Sequence, residues 1–156
     1  MKLTRNLFIP CLDVNKGVGT ASYKPIDLST IFELSWNPTE ETYGYICDAN
    51  DTTETTGYAP ELPQEIVLES TNDIYQFVDE LFWSFPVGSA AEVPVLIVRP
   101  DSNGAPTVGM LWRKAVISPT ALNTVDGKYT YSLKLNGDPV SGTVAISGGT
   151  ITFTEA

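Results

Sequence analysis

Only one segment of the chain carries a helical repeat. Ser70-Thr71-Asn72-Asp73 opens it, and Ile74, Phe77, Val78, Leu81, Phe82 and Phe85 follow at i, i+3, i+4, i+7, i+8 and i+11. That spacing lines six apolar side chains along one stripe of an α-helix. Thr71 or Asn72 supplies an N-cap, and Asp73 suits the positive end of the macrodipole. Pro86, with Gly88 just beyond, stops the element. The pattern predicts a helix over about 72–85 with Ile74, Phe77, Val78, Leu81 and Phe82 as its core face. Each apolar side chain gains about 1.5–3 kcal/mol by full burial, so the stripe requires a sheet to lie on. The remaining sequence must build that sheet from short runs separated by turns.

Those runs are legible. Leu7–Val14 is apolar but broken by Pro10, which suits an edge or interrupted strand. Thr30–Trp36 alternates, placing Phe32, Leu34 and Trp36 on one face of a half-buried strand, and Asn37-Pro38 ends it. Thr42–Ile46 and Gln64–Glu69 have strand composition. Beyond the helix, Val93–Arg99 and Val108–Ser118 read as apolar strands. Asp126-Gly127 is a hairpin turn signal. Lys128–Asn136 then alternates, with Tyr129, Tyr131, Leu133 and Leu135 on one face. Thr143–Ser147 and Thr150–Thr154 flank a Gly148-Gly149 turn. The expected class is α+β and mostly antiparallel β, a β-sandwich or partial barrel with one packed helix.

A chain of 156 residues is most simply a single domain spanning 1–156. No apolar run reaches the ~18 residues of a membrane span. The N-terminal Lys2 to Leu12 mimics a short secretion signal, but Pro10 and Asp13 interrupt it and no small-residue cleavage site follows. It is expected to belong to the mature chain as the first strand. Two cysteines, Cys11 and Cys47, make no disulfide framework, and reduced thiols in a cytosolic setting are expected.

The chain has no histidine. This removes the commonest general base, the commonest zinc ligand and every nucleophile–histidine pair at once. No cofactor is expected, and a non-enzymatic role follows. A hydrolase using two carboxylates remains as a distant alternative.

Charge is distributed in blocks. Residues 26–98 carry fourteen Asp or Glu and no Lys or Arg, whereas the flanking segments are slightly basic. A solvated acidic surface is the simplest account. The sharper one is a surface that meets a basic patch on a neighbouring subunit, or that nucleic acid passes without binding. Binding of DNA requires clustered cations, which this chain lacks.

Within that block, Trp36–Pro60 is a polar ribbon bearing Glu40, Glu41, Asp48, Asp51 and Glu54, punctuated by Tyr43, Tyr45 and Tyr58. As a calcium loop starting at Asp48 it fails: an EF-hand needs Asp or Asn, Gly and Glu where Thr52, Thr53 and Ala59 stand. An irregular calcium site, or a sugar site lined by Trp36, Tyr43 and Tyr58, stays open as a β-sandwich binding module.

Read in order, the pieces resemble a known family. Glu33-Leu-Ser-Trp36, Asn37-Pro38-Thr-Glu-Glu-Thr42, Tyr45-Ile46-Cys47-Asp48 and Gly57-Tyr58-Ala59-Pro60 come first. Glu65 on a strand, the helix Asn72–Phe82, a Val95–Asp101 strand, Tyr129-Thr-Tyr131 and Leu135–Thr143 follow. Nearly the whole chain is similar, in order and spacing, to the major tail (tail tube) proteins of tailed bacteriophages and prophages. The resemblance implies a structural subunit without catalytic residues. It implies hexameric rings, stacked into a hollow tube, in which strands of the subunits complete one continuous β-barrel. Genome would pass along the lumen without specific binding. The partners would be other copies and other tail proteins, in a virion tail assembled in the host cytoplasm, with no membrane contact. A phage-derived bacteriocin or injection device would share the architecture. By position, 37–60 corresponds to the family's long arm, so Asn37, Glu40, Glu41, Tyr43, Tyr45, Asp48, Asp51, Glu54 and Tyr58 are the expected contact residues between subunits or rings.

Overall fold

Strand alternation sets where each side chain goes. In the computed structural model, which describes residues 2–156, the elements run β1 (Ile9–Asp13), β2 (Tyr23–Pro25), β3 (Pro38–Tyr43), β4 (Thr52–Tyr58), β5 (Glu61–Val67), α1 (Asp73–Phe82), β6 (Val95–Arg99), β7 (Val108–Trp112), β8 (Val116–Asn123), β9 (Lys128–Lys134), β10 (Val140–Ser147) and β11 (Thr150–Glu155). Every strand pairing is antiparallel. Six strands close into a barrel in the order β1-β2-β11-β10-β7-β6, with β6 returning to β1. A second sheet, β5-β9-β8, lies beside it, and β3-β4 form a separate hairpin. The α+β, largely antiparallel class is therefore the observed one.

The wall β1-β6-β7 is buried on both faces. Leu96 and Val98 join Cys11, Leu111, Val144 and Ile151 inside the barrel. Their alternates Val95, Ile97, Leu12 and Trp112 face the other way, into a second core. Double burial is why Val93–Val98 reads as a continuous apolar run rather than an alternating one. The second core is completed by Leu62 and Ile66 of β5, Tyr129, Tyr131 and Leu133 of β9, and Ile117 of β8.

The helix closes that core. Asn72 is its N-cap, its side-chain oxygen accepting from the Tyr75 N–H at 3.0 Å. Ile74, Val78 and Phe82 are buried, with Phe77 and Leu81 packed partly against them. Phe82 meets the Tyr129 and Tyr131 rings edge-on at 5.6 and 5.5 Å, the geometry that aromatic quadrupoles favour. Asp79 accepts hydrogen bonds from the Tyr129 hydroxyl and the Trp83 indole. The helix ends at Phe82 rather than 85. Phe85, expected on the stripe, instead has φ 52° ahead of Pro86 and is 77% exposed. Proline restricts the backbone of the residue before it and disfavours helix there.

Three strand expectations change. Thr30–Trp36 is not a strand. It runs along the outer edge of β5 with single bridges at Ser29–Ile66 and Ser35–Glu61. Between the bridges Ile31 is held by side chains: the Ser29 hydroxyl, and the Gln64 amide, which donates to the Ile31 carbonyl at 3.3 Å. Local side-chain bonds have replaced the ladder. Thr42–Ile46 is a strand only as far as Tyr43. Val108–Ser118 divides into β7 and β8 around a turn at Arg113-Lys114.

Barrel closure depends on a facing glycine pair, Gly109 on β7 and Gly142 on β10. A Cβ at 142 would overlap the Thr154 carbonyl oxygen and stand 2.8 Å from the Phe153 ring. The obstacle is partly backbone and cannot rotate away. Gly142→Ala should destabilise the fold by about 1–3 kcal/mol through overpacking, read as a lower midpoint in urea unfolding.

Tyr129 predicts the alkaline behaviour. Burial, aided by the hydrogen bond to Asp79, pushes its hydroxyl from the ordinary 10.0 up to about 12. A raised folded-state value favours the protonated form, so this contribution is complete below pH 10 and is lost as pH rises from 10 to about 12. Tm should fall across that window, and Tyr129→Phe should make the fall shallower. An equally steep fall in the variant would show that Tyr129 does not couple to folding.

Candidate functional site

A two-stranded hairpin is marginal in water unless something packs on it. The hairpin β3-β4 has little of this from its own chain: every residue of the two strands except Tyr43 and Gly57 is exposed. Its register runs from Pro38–Tyr58 at the root to Tyr43–Thr52 near the tip, with a bulge at Thr39/Glu40. The tip is the loop 44–51, also exposed throughout. Thr composition explains the strands, since β-branched residues suit the pleat. The Thr42 and Thr53 hydroxyls bond across the ladder at 3.1 Å.

The root is fixed where the tip is not. Asn37 adopts φ 45°, a left-handed conformation that Asn tolerates better than most residues. Its amide donates to the Ala59 carbonyl at 3.0 Å. Ala59 N–H in turn donates to the Trp36 carbonyl at 3.2 Å. These bonds tie the two legs where they leave the body, and the bridge Ser35–Glu61 continues the tie into β5.

The structure gathers all nine expected contact residues on this one element. Asn37 and Tyr58 stand at the root, Glu40, Glu41, Tyr43 and Glu54 along the strands, and Tyr45, Asp48 and Asp51 in the tip loop. Glu41 lies directly opposite Glu54, and like charges so placed oppose pairing. The Tyr43 hydroxyl donates to Glu41, which raises the Tyr43 pKa. None of the five hairpin carboxylates makes an ion pair among the described residues. The ion pairs formed are Lys24–Asp73 at 3.8 Å, Arg113–Glu155 at 3.3 Å, Lys128–Glu65 at 2.7 Å and Lys134–Glu61 at 3.5 Å. Three of these neutralise acids of the 26–98 block from outside it. They leave the hairpin as an uncompensated acidic element.

Sequence reasoning missed what Phe32 and Trp36 do. Their shared face was legible, but it meets the core only through Leu34, while Phe32 and Trp36 stay exposed. With Phe8, Leu34, Ile97 and Trp112 it lines an apolar groove of about 530 Å³ at the hairpin root. Among the described residues no three His, Cys, Asp or Glu side chains gather as metal ligands. Tyr43 and Tyr58 lie on the exposed hairpin and do not line the Trp36 groove. Cys11 is buried and Cys47 exposed, and both are free thiols.

No protein-family model matches the chain, and no curated protein sequence does. Solved structures similar to it include two from the anti-feeding prophage. One is a chain of the anti-feeding prophage baseplate, 9% identical with a TM-score of 0.46, covering 86% of this chain and 91% of that one. The other is a chain of the anti-feeding prophage tube-terminating cap, 12% identical with a TM-score of 0.48, covering 100% of this chain and 93% of that one. Likenesses at this level establish neither family nor role.

The Glu41–Glu54 pair generates a local prediction. Glu54→Lys converts repulsion into cross-strand attraction, worth about 0.2–1 kcal/mol. Amide exchange of the hairpin in the free subunit should slow by up to about five-fold, the rate equivalent of that energy. Unchanged exchange would show that the pair does not limit hairpin stability.

Proposed function

We propose that the chain is a structural, non-enzymatic subunit of a phage-tail-like tube. Copies assemble into hexameric rings that stack around a conduit for DNA, alongside other tail proteins, in a virion tail built in the host cytoplasm. The observation that carries this reading is the acidic hairpin, presented to solvent on both faces with no ion-pair partner among the described residues. The order of motifs resembling tail tube proteins places the family's arm at the same segment.

Surface area supports self-assembly. The chain exposes 9556 Å², against roughly 7,700 Å² expected for a compact monomer of its mass. The excess, about 1,900 Å², is roughly twice the ~800 Å² that one partner contributes to a standard interface, as for a subunit that meets two neighbours. In this reading the six-stranded barrel lends little edge, since it closes within the chain, its loosest seam being the single Ile151–Tyr23 pair between β11 and β2. A ring-spanning barrel draws on the sheet β5-β9-β8, whose β8 edge is open beyond the bridge Glu92–Val116. Pro119 and the bulge beside it divide that edge, so pairing with a neighbour proceeds to either side of them. The absence of Lys and Arg from 26–98 suits a surface along which phosphates slide, because each fixed cation would hold them.

Concentrated protein should show rings or tubes by negative-stain microscopy. Amides of Thr42–Thr56 should gain protection only on assembly. A strictly monomeric species, or equal protection in both states, would overturn the reading.

A further inference from the structure

The groove at the hairpin root and the tip of the same hairpin are complementary in two independent respects. The first is apolar. Phe8, Phe32, Leu34, Trp36, Ile97 and Trp112 line the groove, and Phe32 and Trp36 remain 40% and 58% exposed within it. The tip carries Tyr45 and Ile46, and Ile46 is 102% exposed, with nothing of its own chain against it. Apolar groups so presented gain by mutual burial. The second is charge. Arg99 lines the groove, and Arg5 lines the adjoining hollow that shares Phe8 and Phe32 with it. Neither arginine has an ion-pair partner among the described residues, and neither do Asp48 and Asp51 beside the tip.

The tip cannot reach its own groove. Trp36 and Pro60 belong to both the hairpin root and the groove wall. The seven residues of β4, at about 3.3 Å each, hold the tip roughly 20 Å away. The occupant must come from another molecule.

We propose that Tyr45 and Ile46 dock into the groove of a second copy of this chain, with Asp48 and Asp51 meeting Arg5 and Arg99 at its rim. The inference rests on the assembly reading above and supplies the receptor for the arm. Donor and acceptor are different patches of one chain, so each copy offers a tip and a groove. Such a contact is head-to-tail and propagates into a closed ring or a stack. The carboxylate–guanidinium part weakens with salt, whereas the apolar part does not.

Cys47 makes the contact testable, because it adjoins Ile46 and is an exposed thiol, while Cys11 is buried. Thr30 is exposed and lines the hollow beside the groove. In a Thr30→Cys protein, a short bis-maleimide should join Cys47 of one copy to the thiol introduced at position 30 of another. Peptide mapping identifies the link, and Cys47→Ser should abolish it. Tyr45→Ser/Ile46→Ser changes only exposed side chains and should lower cross-link yield and tube yield at least ten-fold. Arg5→Glu/Arg99→Glu should do the same, with recovery on adding Asp48→Lys/Asp51→Lys. Tubes that form with wild-type yield from the tip variant, without the 47–30 link, would overturn the docking and leave the tube reading standing. A 47–30 link in protein that forms no rings or tubes would support the docking and overturn the tube reading. Neither link nor assembly at high concentration would overturn both.

Discussion

The wall formed by β1, β6 and β7 is the part on which the rest depends. It serves two cores at once, and the division is made residue by residue: Leu96 and Val98 inward to the barrel, Val95 and Ile97 outward to the helix and second sheet. A shift of one residue in its register would exchange the two sets. Because both sets are apolar, hydrophobicity alone does not fix that register. Size does. The barrel side holds Cys11, Leu96, Val98, Leu111 and the gap at Gly109, whereas the other side holds Ile97, Met110 and Trp112. The narrow barrel cannot accept the larger set.

The barrel is held mainly by the ladders β2-β1, β1-β6, β6-β7, β7-β10 and β10-β11, and its loosest seam is the single Ile151–Tyr23 pair between β11 and β2. Away from that seam its strands pair largely among themselves, which leaves less edge for a partner. What remains available is peripheral: the edge of β8, the hairpin β3-β4 and the groove at its root. The hairpin is the least supported of the three. It has a secured base at Asn37 and Ala59, a like-charge pair midway, and an apolar tip. That gradient from fixed base to unsupported end suits an element whose stability is completed from outside.

Much of this was legible in the sequence, and the failures have physical causes. The helix stripe, the Tyr129–Leu135 alternation and the Gly148-Gly149 turn signalled their elements because each is a local pattern. Barrel closure was not legible, since it depends on β1 meeting β6 and β2 meeting β11, pairings between distant segments. The glycine pair Gly109–Gly142 that permits it looks like two unrelated small residues. Phe32, Leu34 and Trp36 showed a correct shared face, yet alternation records only that side chains share a side. It does not distinguish a core from a groove. The nine arm residues were placed on one segment by sequence order, and the structure makes that segment a single hairpin. That its five carboxylates form no ion pair among the described residues could be established only in three dimensions.

The acidic block gains a finer meaning from the ion pairs. A net charge of −10 suggests general self-repulsion, which would oppose any assembly of identical subunits. The repulsion is not uniform. Lys24, Lys128 and Lys134 come from outside the block and offset Asp73, Glu65 and Glu61 on the body. These pairs are partly exposed and contribute little to stability individually, but they change where the charge is felt. On the hairpin Glu40, Glu41, Asp48, Asp51 and Glu54 form no ion pair among the described residues. Arg5 and Arg99 at the groove likewise form none. The hairpin carboxylates and the groove arginines form two patches of opposite sign, so in the docking proposed above two copies attract when one patch meets the other; Asp27, Glu33, Glu69, Glu80 and Glu92 of the same block also form no ion pair among the described residues and add to the general repulsion. Net negative charge discourages random aggregation, and in the proposed docking the two patches of opposite sign favour the head-to-tail arrangement.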